Sequence, residues 1–265
     1  MKTVTSNDGA TIAFDEFGAG PPVVMAAGAF NDRSTTEPLA RGLAPDFMVV
    51  NYDRRGRGDS GDGPEYAVER EIEDLAAIIA EVGGSAAVFG YSSGANLVLK
   101  AAASGLAITR LVLYEPAFVV DDSRPRPAPD MSARLGELIA ADRRGEAVEL
   151  FQTEVIGMPA QVVAQMRHAP FRPGMEAIAH TLAYDATIVG DLTLPAEAFA
   201  SITAPTLVLD GEDSPPVTRS AARAVADTLP GGRLHSLVGQ GHTIEPNATA
   251  SVIAAFLSDE PFARA

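Results

Sequence analysis

The chain has 265 residues, of which 46% are hydrophobic and 21% are charged, a balance that is typical of globular proteins and excludes a disordered chain. Its 35 acidic and 20 basic residues give a formal net charge of −15, which disfavours nucleic acid as a partner because phosphate backbones are repelled. The absence of cysteine excludes disulfides and thiolate metal sites.

Length and hydropathy limit the organisation of the chain. At 265 residues we expect one large domain, or a core with a modest insertion. Residues 1–14 lack the apolar segment of a signal peptide, and no apolar run approaches the ~20 residues of a membrane-spanning helix. We therefore predict a cytoplasmic protein without a membrane partner, as a monomer or homodimer.

Alternation and apolar runs predict the strands. Residues 2–5 and 11–17 alternate around Asp8-Gly9 and predict a hairpin. Continuous apolar runs are typical of buried parallel strands, and they occur at residues 22–26 and 47–52. Further strands are predicted at 86–90, 109–114, 206–210 and 233–237. Between the predicted strands 47–52 and 86–90, helical spacing of apolar residues predicts a helix over 66–82. Strands that alternate with helices imply a largely parallel sheet.

The segment from about 119 to 200 breaks this alternation. It opens with the proline-rich stretch Ser123–Pro129, which predicts an extended linker. Helical patterns follow at 131–143, 146–156 and 160–168 without a strand pattern. We predict an α/β core domain made of residues 1–118 and 201–265, with residues 119–200 inserted as a helical cap.

A serine at a tight turn is the strongest functional signal. The sequence Gly90-Tyr91-Ser92-Ser93-Gly94 follows a predicted strand and precedes a helix-forming segment, as in the strand–turn–helix that carries a nucleophilic serine. Glycine neighbours permit the strained backbone of such a turn. We predict that Ser92 is a nucleophile and that the backbone N–H of Ser93, at the helix N-terminus, forms half of an oxyanion hole.

A histidine near the C-terminus supplies the base that a serine nucleophile needs. His242 ends the sequence Leu237–His242, which predicts a strand end and a glycine turn ahead of a last helix. The arginine-rich loop Asp53–Ser60 is expected to brace neighbouring loops. Neither metal-ligand spacing nor a dinucleotide-binding glycine pattern is present, so we predict no metal and no cofactor.

The Ser92 turn, the Asp53–Ser60 loop and the segment Gly239–His242 together resemble the α/β-hydrolase superfamily over essentially the whole chain. The resemblance implies an α/β-hydrolase fold, with a mostly parallel sheet flanked by helices and the insertion placed where capped members carry their lids. Many members have His-Gly after the third strand, where this chain has Ala27-Gly28. A main-chain N–H of Gly28 or Ala29 can still complete the oxyanion hole.

Two carboxylates are candidates for the acid of a Ser-His-acid triad. Family members commonly place an aspartate where this chain has Ser214, and Asp213 lies one residue before it. Other branches use an acid after the sixth strand, where this chain has Glu115 in the sequence Leu113–Pro116. That placement is similar to the one in zearalenone-type lactonases. We favour Glu115 and keep Asp213 as the alternative.

The resemblance implies a cofactor-free serine hydrolase that cleaves a carboxylic ester or lactone of an apolar small molecule. The same site is compatible with C–C bond hydrolysis, thioester cleavage or peracid formation. A protein that binds a small molecule and hydrolyses it slowly is a further alternative, since the usual acid is displaced. An epoxide hydrolase or haloalkane dehalogenase is disfavoured because those enzymes need a carboxylate at the position of Ser92.

Overall fold

A computed structural model describes residues 1–63 and 65–259. Eight strands form one sheet in the order β1-β2-β4-β3-β5-β6-β7-β8. The first two strands pair antiparallel, β2 pairs antiparallel with β4, and all other neighbours are parallel. The strands are β1 (Lys2–Thr5), β2 (Thr11–Phe17), β3 (Pro22–Ala26), β4 (Met48–Tyr52), β5 (Ala86–Tyr91), β6 (Ile108–Tyr114), β7 (Thr206–Gly211) and β8 (Gly232–Leu237).

The helices connect and cover these strands. They are α1 (Arg33–Leu43), α2 (Val68–Glu81), α3 (Ser93–Ala103), α4 (Met131–Ala140), α5 (Arg144–Leu150), α6 (Ala160–Met166), α7 (Arg172–Ala177), α8 (Leu182–Val189), α9 (Ala196–Phe199), α10 (Pro216–Thr228) and α11 (Pro246–Leu257). A π-helical turn at Phe151–Ile156 follows α5, and a 3₁₀ turn at Ala179–Thr181 precedes α8. This arrangement confirms the predicted fold class.

Both faces of the sheet are covered, which explains the continuous apolar runs of its central strands. One apolar cluster joins β3, β5 and β6 to α2, α3 and α10. A second cluster on the opposite face joins the same strands to α1 and α11. Every residue of β5 is buried, so the strand that carries the predicted nucleophile is held rigidly at the centre of the molecule.

The chain between β6 and β7 is helical throughout its regular structure. Helices α4, α5 and α8 and the π-helical turn share a third apolar cluster, which includes Leu135, Val148, Phe151 and Leu182. Leu97 of α3 belongs to the same cluster, so these helices pack on the core directly behind the Ser92 turn. The boundaries of the cap, 119–200, stay a prediction.

Helices α1 and α7 to α10 were not predicted individually, and several boundaries differ by a few residues. Helix α1 lies where no element was predicted, because Pro38 and Gly42 interrupt its pattern. Its buried residues are nevertheless spaced at a helical period, and Asp32 caps it by accepting a hydrogen bond from the Ser34 N–H. Within the described residues, no helix is both long and apolar enough to cross a bilayer.

Candidate active site

Ser92 lies at a sharp turn between β5 and α3. Its backbone has φ 54° and ψ −122°, a conformation that is strained for a residue with a side chain. Packing explains the flanking glycines: a Cβ on Gly90 would lie 2.6 Å from Cα of Ala95, and one on Gly94 would lie 2.4 Å from the Ala26 carbonyl oxygen. The two glycines therefore let the turn lie against its own helix and against β3.

The loop after β3 lies directly against this turn. A Cβ on Gly28 would lie 2.9 Å from Cβ of Ser92 and 3.6 Å from its Oγ. The structure thus brings together Gly28, Ala29, Ser92 and Ser93, which are the predicted nucleophile and the predicted oxyanion donors. Ser93 is the first residue of α3, where backbone N–H groups have no intrahelical acceptor.

Glu115 contacts His242. Glu115 follows β6 with φ 47° and is 1% exposed. Its Oε2 lies 2.5 Å from Nδ1 of His242, while Oε1 accepts hydrogen bonds from the Gly211 N–H (2.9 Å) and the Ser214 hydroxyl (2.5 Å). Both oxygens of this buried carboxylate are therefore in contact with hydrogen-bonding groups, as burial of a charge requires.

These contacts set the protonation of the pair. Burial raises the pKa of Glu115, but the hydrogen bonds from His242, Ser214 and Gly211 outweigh burial, and the pKa lies below its ordinary value. The carboxylate is therefore ionised near neutral pH and can only accept hydrogen bonds. It follows that Nδ1 of His242 carries a hydrogen and that a neutral ring has a free lone pair on Nε2.

Two tyrosines hold the loop that carries the histidine. The Tyr91 hydroxyl donates to the His242 carbonyl at 3.0 Å, and the Tyr114 hydroxyl donates to the Gly241 carbonyl at 2.7 Å. The rings of Tyr91 and His242 lie 5.1 Å apart between centroids. The His242 side chain is 49% exposed although its carboxylate partner is fully buried, so the free face of the ring is open to a small molecule.

Asp213, the alternative acid, is exposed. Its backbone N–H donates to the Gln240 carbonyl at 2.8 Å, and its carboxylate has no contact with His242 in the described part of the chain. Ser214, which stands where the resemblance implies an aspartate, donates its hydroxyl hydrogen to Glu115 instead. Asp210 is buried at the end of β7, where its Oδ2 lies 3.5 Å from Nε of Arg219.

Among residues 1–63 and 65–259, the Ser92 hydroxyl makes no hydrogen bond to the His242 ring. Catalytic hydrogen bonds are often long without substrate and tighten when it binds. The same part of the chain has no cluster of three or more His, Asp or Glu side chains arranged to hold a metal ion.

The sequence from residue 23 to residue 255 matches the Alpha/beta hydrolase family. The chain belongs to this family. It is similar to the crystal structure of an alpha/beta hydrolase from Sphaerobacter thermophilus DSM 20745, at 57% sequence identity and a TM-score of 0.91, over 97% of this chain and 100% of that one.

Two further similar proteins are more distant. A non-heme haloperoxidase of Rhodococcus erythropolis is 26% identical over 258 residues, which covers 91% of this chain and 93% of that protein. The enol-lactonase from Burkholderia xenovorans LB400 has a TM-score of 0.72 at 21% identity, over 97% of this chain and 100% of that one. The second likeness shows the shared fold alone.

Sequence reasoning missed several residues that support the site of this α/β-hydrolase. The roles of Tyr91 and Tyr114 in holding the histidine loop had no signal beyond their positions at strand ends. Asp185, in the helical insertion, lies 2.8 Å from the Ser93 hydroxyl. Arg54 and Arg57 brace neighbouring loops as expected, and the loop they brace is the one that contains Gly28.

Proposed function

We propose that the protein is a cofactor-independent serine hydrolase that cleaves a carboxylic ester or lactone of an apolar small molecule. The observation that carries this proposal is the 2.5 Å contact between the buried Glu115 carboxylate and His242 Nδ1. Tyr91, the residue before the strained Ser92 turn, has its ring 5.1 Å from that of His242. A histidine oriented by a carboxylate is the base that activates a serine hydroxyl for attack on a carbonyl when substrate brings the two together.

The chemistry proceeds in two halves. Nε2 of His242 takes the proton of Ser92 while Oγ attacks the carbonyl carbon, and the protonated ring then gives the proton to the leaving alcohol. Ionised Glu115 holds Nδ1–H and stabilises the positive ring. Water then attacks the acyl-enzyme by the same route, which releases the acid and restores the hydroxyl of Ser92.

Charge on the carbonyl oxygen is stabilised by backbone N–H groups of Ser93 and of Gly28 or Ala29. The contact of Gly28 with Ser92 supports this role, because it keeps the two sources of donors within reach of one carbonyl. A single donor of this kind typically contributes roughly 3–4 kcal/mol to the transition state.

Aromatic side chains beside the loop after β3 that contains Ala27, Gly28 and Ala29, here called the oxyanion loop, support an apolar substrate. Phe30 follows Ala29, and its ring packs edge-on against Phe151 of the insertion, with 5.5 Å between centroids. Much of the apolar surface of the insertion is used in its own core. Phe151 is buried in that core, whereas the half-buried Phe30 joins the helical insertion to the loop beside Ser92 and offers apolar surface to an acyl or alcohol group.

Peracid formation is a second candidate reaction at the same serine. It is favoured by the likeness to the non-heme haloperoxidase, which extends over nine-tenths of both chains. In this reaction hydrogen peroxide replaces water as the attacking molecule on the acyl-enzyme. A slow hydrolase that mainly binds its ligand is disfavoured, because that alternative depended on a missing acid and Glu115 contacts His242.

Sustained hydrolysis of p-nitrophenyl butyrate by the wild type and by Ser92→Ala tests the proposal. We expect many turnovers per wild-type molecule and no enzymatic turnover by the variant, with unchanged melting temperature, because the strained turn does not need its hydroxyl. Folded wild-type protein that turns over no activated ester or thioester would overturn the proposal. Addition of hydrogen peroxide with acetate, followed by bromide oxidation, tests the second candidate.

A further inference from the structure

Four buried charges lie beneath the oxyanion loop. Arg54, Arg57, Glu71 and Asp185 are each at most 1% exposed. Arg54 forms two hydrogen bonds with Glu71, at 2.6 and 2.7 Å, and a third with Asp185 at 2.9 Å. Arg57 contacts the other Asp185 oxygen at 2.6 Å. Two arginines and two carboxylates make the cluster formally neutral, which a buried group of charges requires.

Both arginines also donate to backbone carbonyls of the loop. Nη1 of Arg57 donates to the Gly28 carbonyl at 2.6 Å, and Nη1 of Arg54 donates to the Ala27 carbonyl at 3.2 Å. In a trans peptide the C=O of one residue and the N–H of the next belong to the same planar unit. The peptide held by Arg57 therefore carries the N–H of Ala29, and the peptide held by Arg54 carries the N–H of Gly28.

The same cluster reaches the other side of the oxyanion hole. Asp185, on α8, accepts a hydrogen bond from the Ser93 hydroxyl at 2.8 Å through the oxygen that also contacts Arg54. Burial raises the pKa of Asp185, but the two arginines and Ser93 lower it below its ordinary value, so the carboxylate is ionised. All three residues predicted to supply oxyanion donors are thus tied to one group of charges.

We propose that Arg57, held in place by Asp185, is a positioning residue for the oxyanion hole, which it serves by fixing and polarising the Gly28–Ala29 peptide. A cation on the carbonyl draws electrons through the peptide, so the Ala29 N–H becomes a stronger donor. Arg54 acts in the same way, over a longer contact, on the N–H of Gly28. Because Asp185 lies on α8, the helical insertion helps to set the geometry of the hole.

This inference rests on the proposed function, and its test uses variants that keep the cluster neutral. Removing Arg57 alone would leave two buried carboxylates with one arginine and endanger the fold. The double variant Arg57→Met/Asp185→Asn removes one charge of each sign. Arg57→Lys keeps the charge, but one ammonium cannot span both Asp185 and the Gly28 carbonyl as two guanidinium nitrogens do.

Arg55 provides the matched control. It is as deeply buried as Arg57 and contacts Asp74 at 2.7 and 2.8 Å and Asp8 at 2.8 Å. Its hydrogen bonds within the described residues are with Asp8, Arg70 and Asp74, and not with the oxyanion loop. The variants Arg55→Met/Asp74→Asn and Arg55→Lys therefore remove comparable ionic contacts while leaving the Gly28 carbonyl untouched.

For p-nitrophenyl butyrate we expect both Arg57 variants to lose about 10- to 100-fold in kcat, less than the 10²–10³ for complete loss of one donor. KM should stay within a few-fold, because the donors act on charge that develops in the transition state. The Arg55 variants should keep the wild-type kcat. The proposal would be overturned if both Arg57 variants fold and keep the wild-type kcat. It would also be overturned if the Arg55 variants lose as much kcat as the Arg57 variants.

Amide NMR of isotope-labelled protein separates this inference from the proposed function. We expect the Ala29 amide resonance to move in Arg57→Lys and to stay in place in Arg55→Lys, whether or not the wild type hydrolyses esters. An unchanged Ala29 resonance would refute the positioning role. Wild-type protein without turnover would refute the proposed function and leave the NMR result to decide the positioning of the peptide.

Discussion

Replacing Glu115 by glutamine tests the acid of the proposed triad, because it removes the charge and keeps the shape. The neighbours of this side chain determine how the new amide is oriented. Oε1 accepts from the Gly211 N–H and the Ser214 hydroxyl, so the amide oxygen stays there and the NH₂ group is directed at His242. An NH₂ that donates to Nδ1 forces the ring hydrogen onto Nε2, where it blocks acceptance of the Ser92 proton.

The size of the effect follows from charge and tautomer together. A carboxylate and an imidazolium about 4 Å apart attract each other by about 4 kcal/mol at an effective dielectric constant near 20, which corresponds to about 10³-fold in rate. The His242 side chain is 49% exposed, so solvent screens part of this attraction. The wrong tautomer adds to the loss, and an equivalent substitution in a Ser-His-Asp triad costs about 10⁴-fold. We expect Glu115→Gln to lower kcat by about 10³- to 10⁴-fold.

The assay is steady-state hydrolysis of p-nitrophenyl butyrate, with Asp213→Asn as the matched control. Both substitutions remove one carboxylate without changing side-chain size, but Asp213 is exposed. We expect Asp213→Asn to stay within a few-fold of wild type. Ser214→Ala, which removes one donor to Glu115, should cause an intermediate loss. A Glu115→Gln enzyme with nearly wild-type kcat, or a larger loss in Asp213→Asn, would show that the reasoning is wrong.

Two further predictions concern stability and packing. In the folded protein the pKa of Glu115 lies below its ordinary value of 4.5. The ionised carboxylate therefore stabilises the fold above about pH 4.5, and this contribution to the free energy of unfolding is lost as the pH falls through the pKa of the folded state. Urea unfolding should therefore show a wild-type advantage over Glu115→Gln that shrinks on acidification, and a pH-independent difference would contradict this. Gly28→Ala should lower both kcat and melting temperature, because its Cβ would lie 2.8 Å from the Tyr91 carbonyl oxygen and 2.9 Å from Cβ of Ser92. The control is Gly136→Ala in α4, where a Cβ meets nothing within 4 Å; it should be neutral or stabilising by about 0.5–1 kcal/mol. Equal losses in Gly28→Ala and Gly136→Ala would argue against the packing explanation.

The fold class and the nucleophile turn are determined by local sequence. Continuous apolar strands that alternate with amphipathic helices leave few arrangements other than a parallel sheet covered on both faces. The glycines around Ser92 predict the turn, because only residues without a Cβ fit where Gly90 and Gly94 meet the neighbouring backbone. Such signals lie within a few residues of the feature that they predict. Helix α1 escaped prediction because its own sequence contains a proline and a glycine.

Tertiary structure alone decides which groups meet. Glu115 and Asp213 both follow strands close to the histidine loop, and sequence could only rank them. The contact of Glu115 with His242 depends on the pairing of β6 with β7, which also places the Gly211 N–H and the Ser214 hydroxyl against the other carboxylate oxygen. The link from Asp185 to Arg57 joins segments far apart in sequence. Short-range sequence patterns determine local backbone conformation. The pairing of buried charges depends on strand register and helix packing, and these are determined by interactions between segments that are far apart in the sequence.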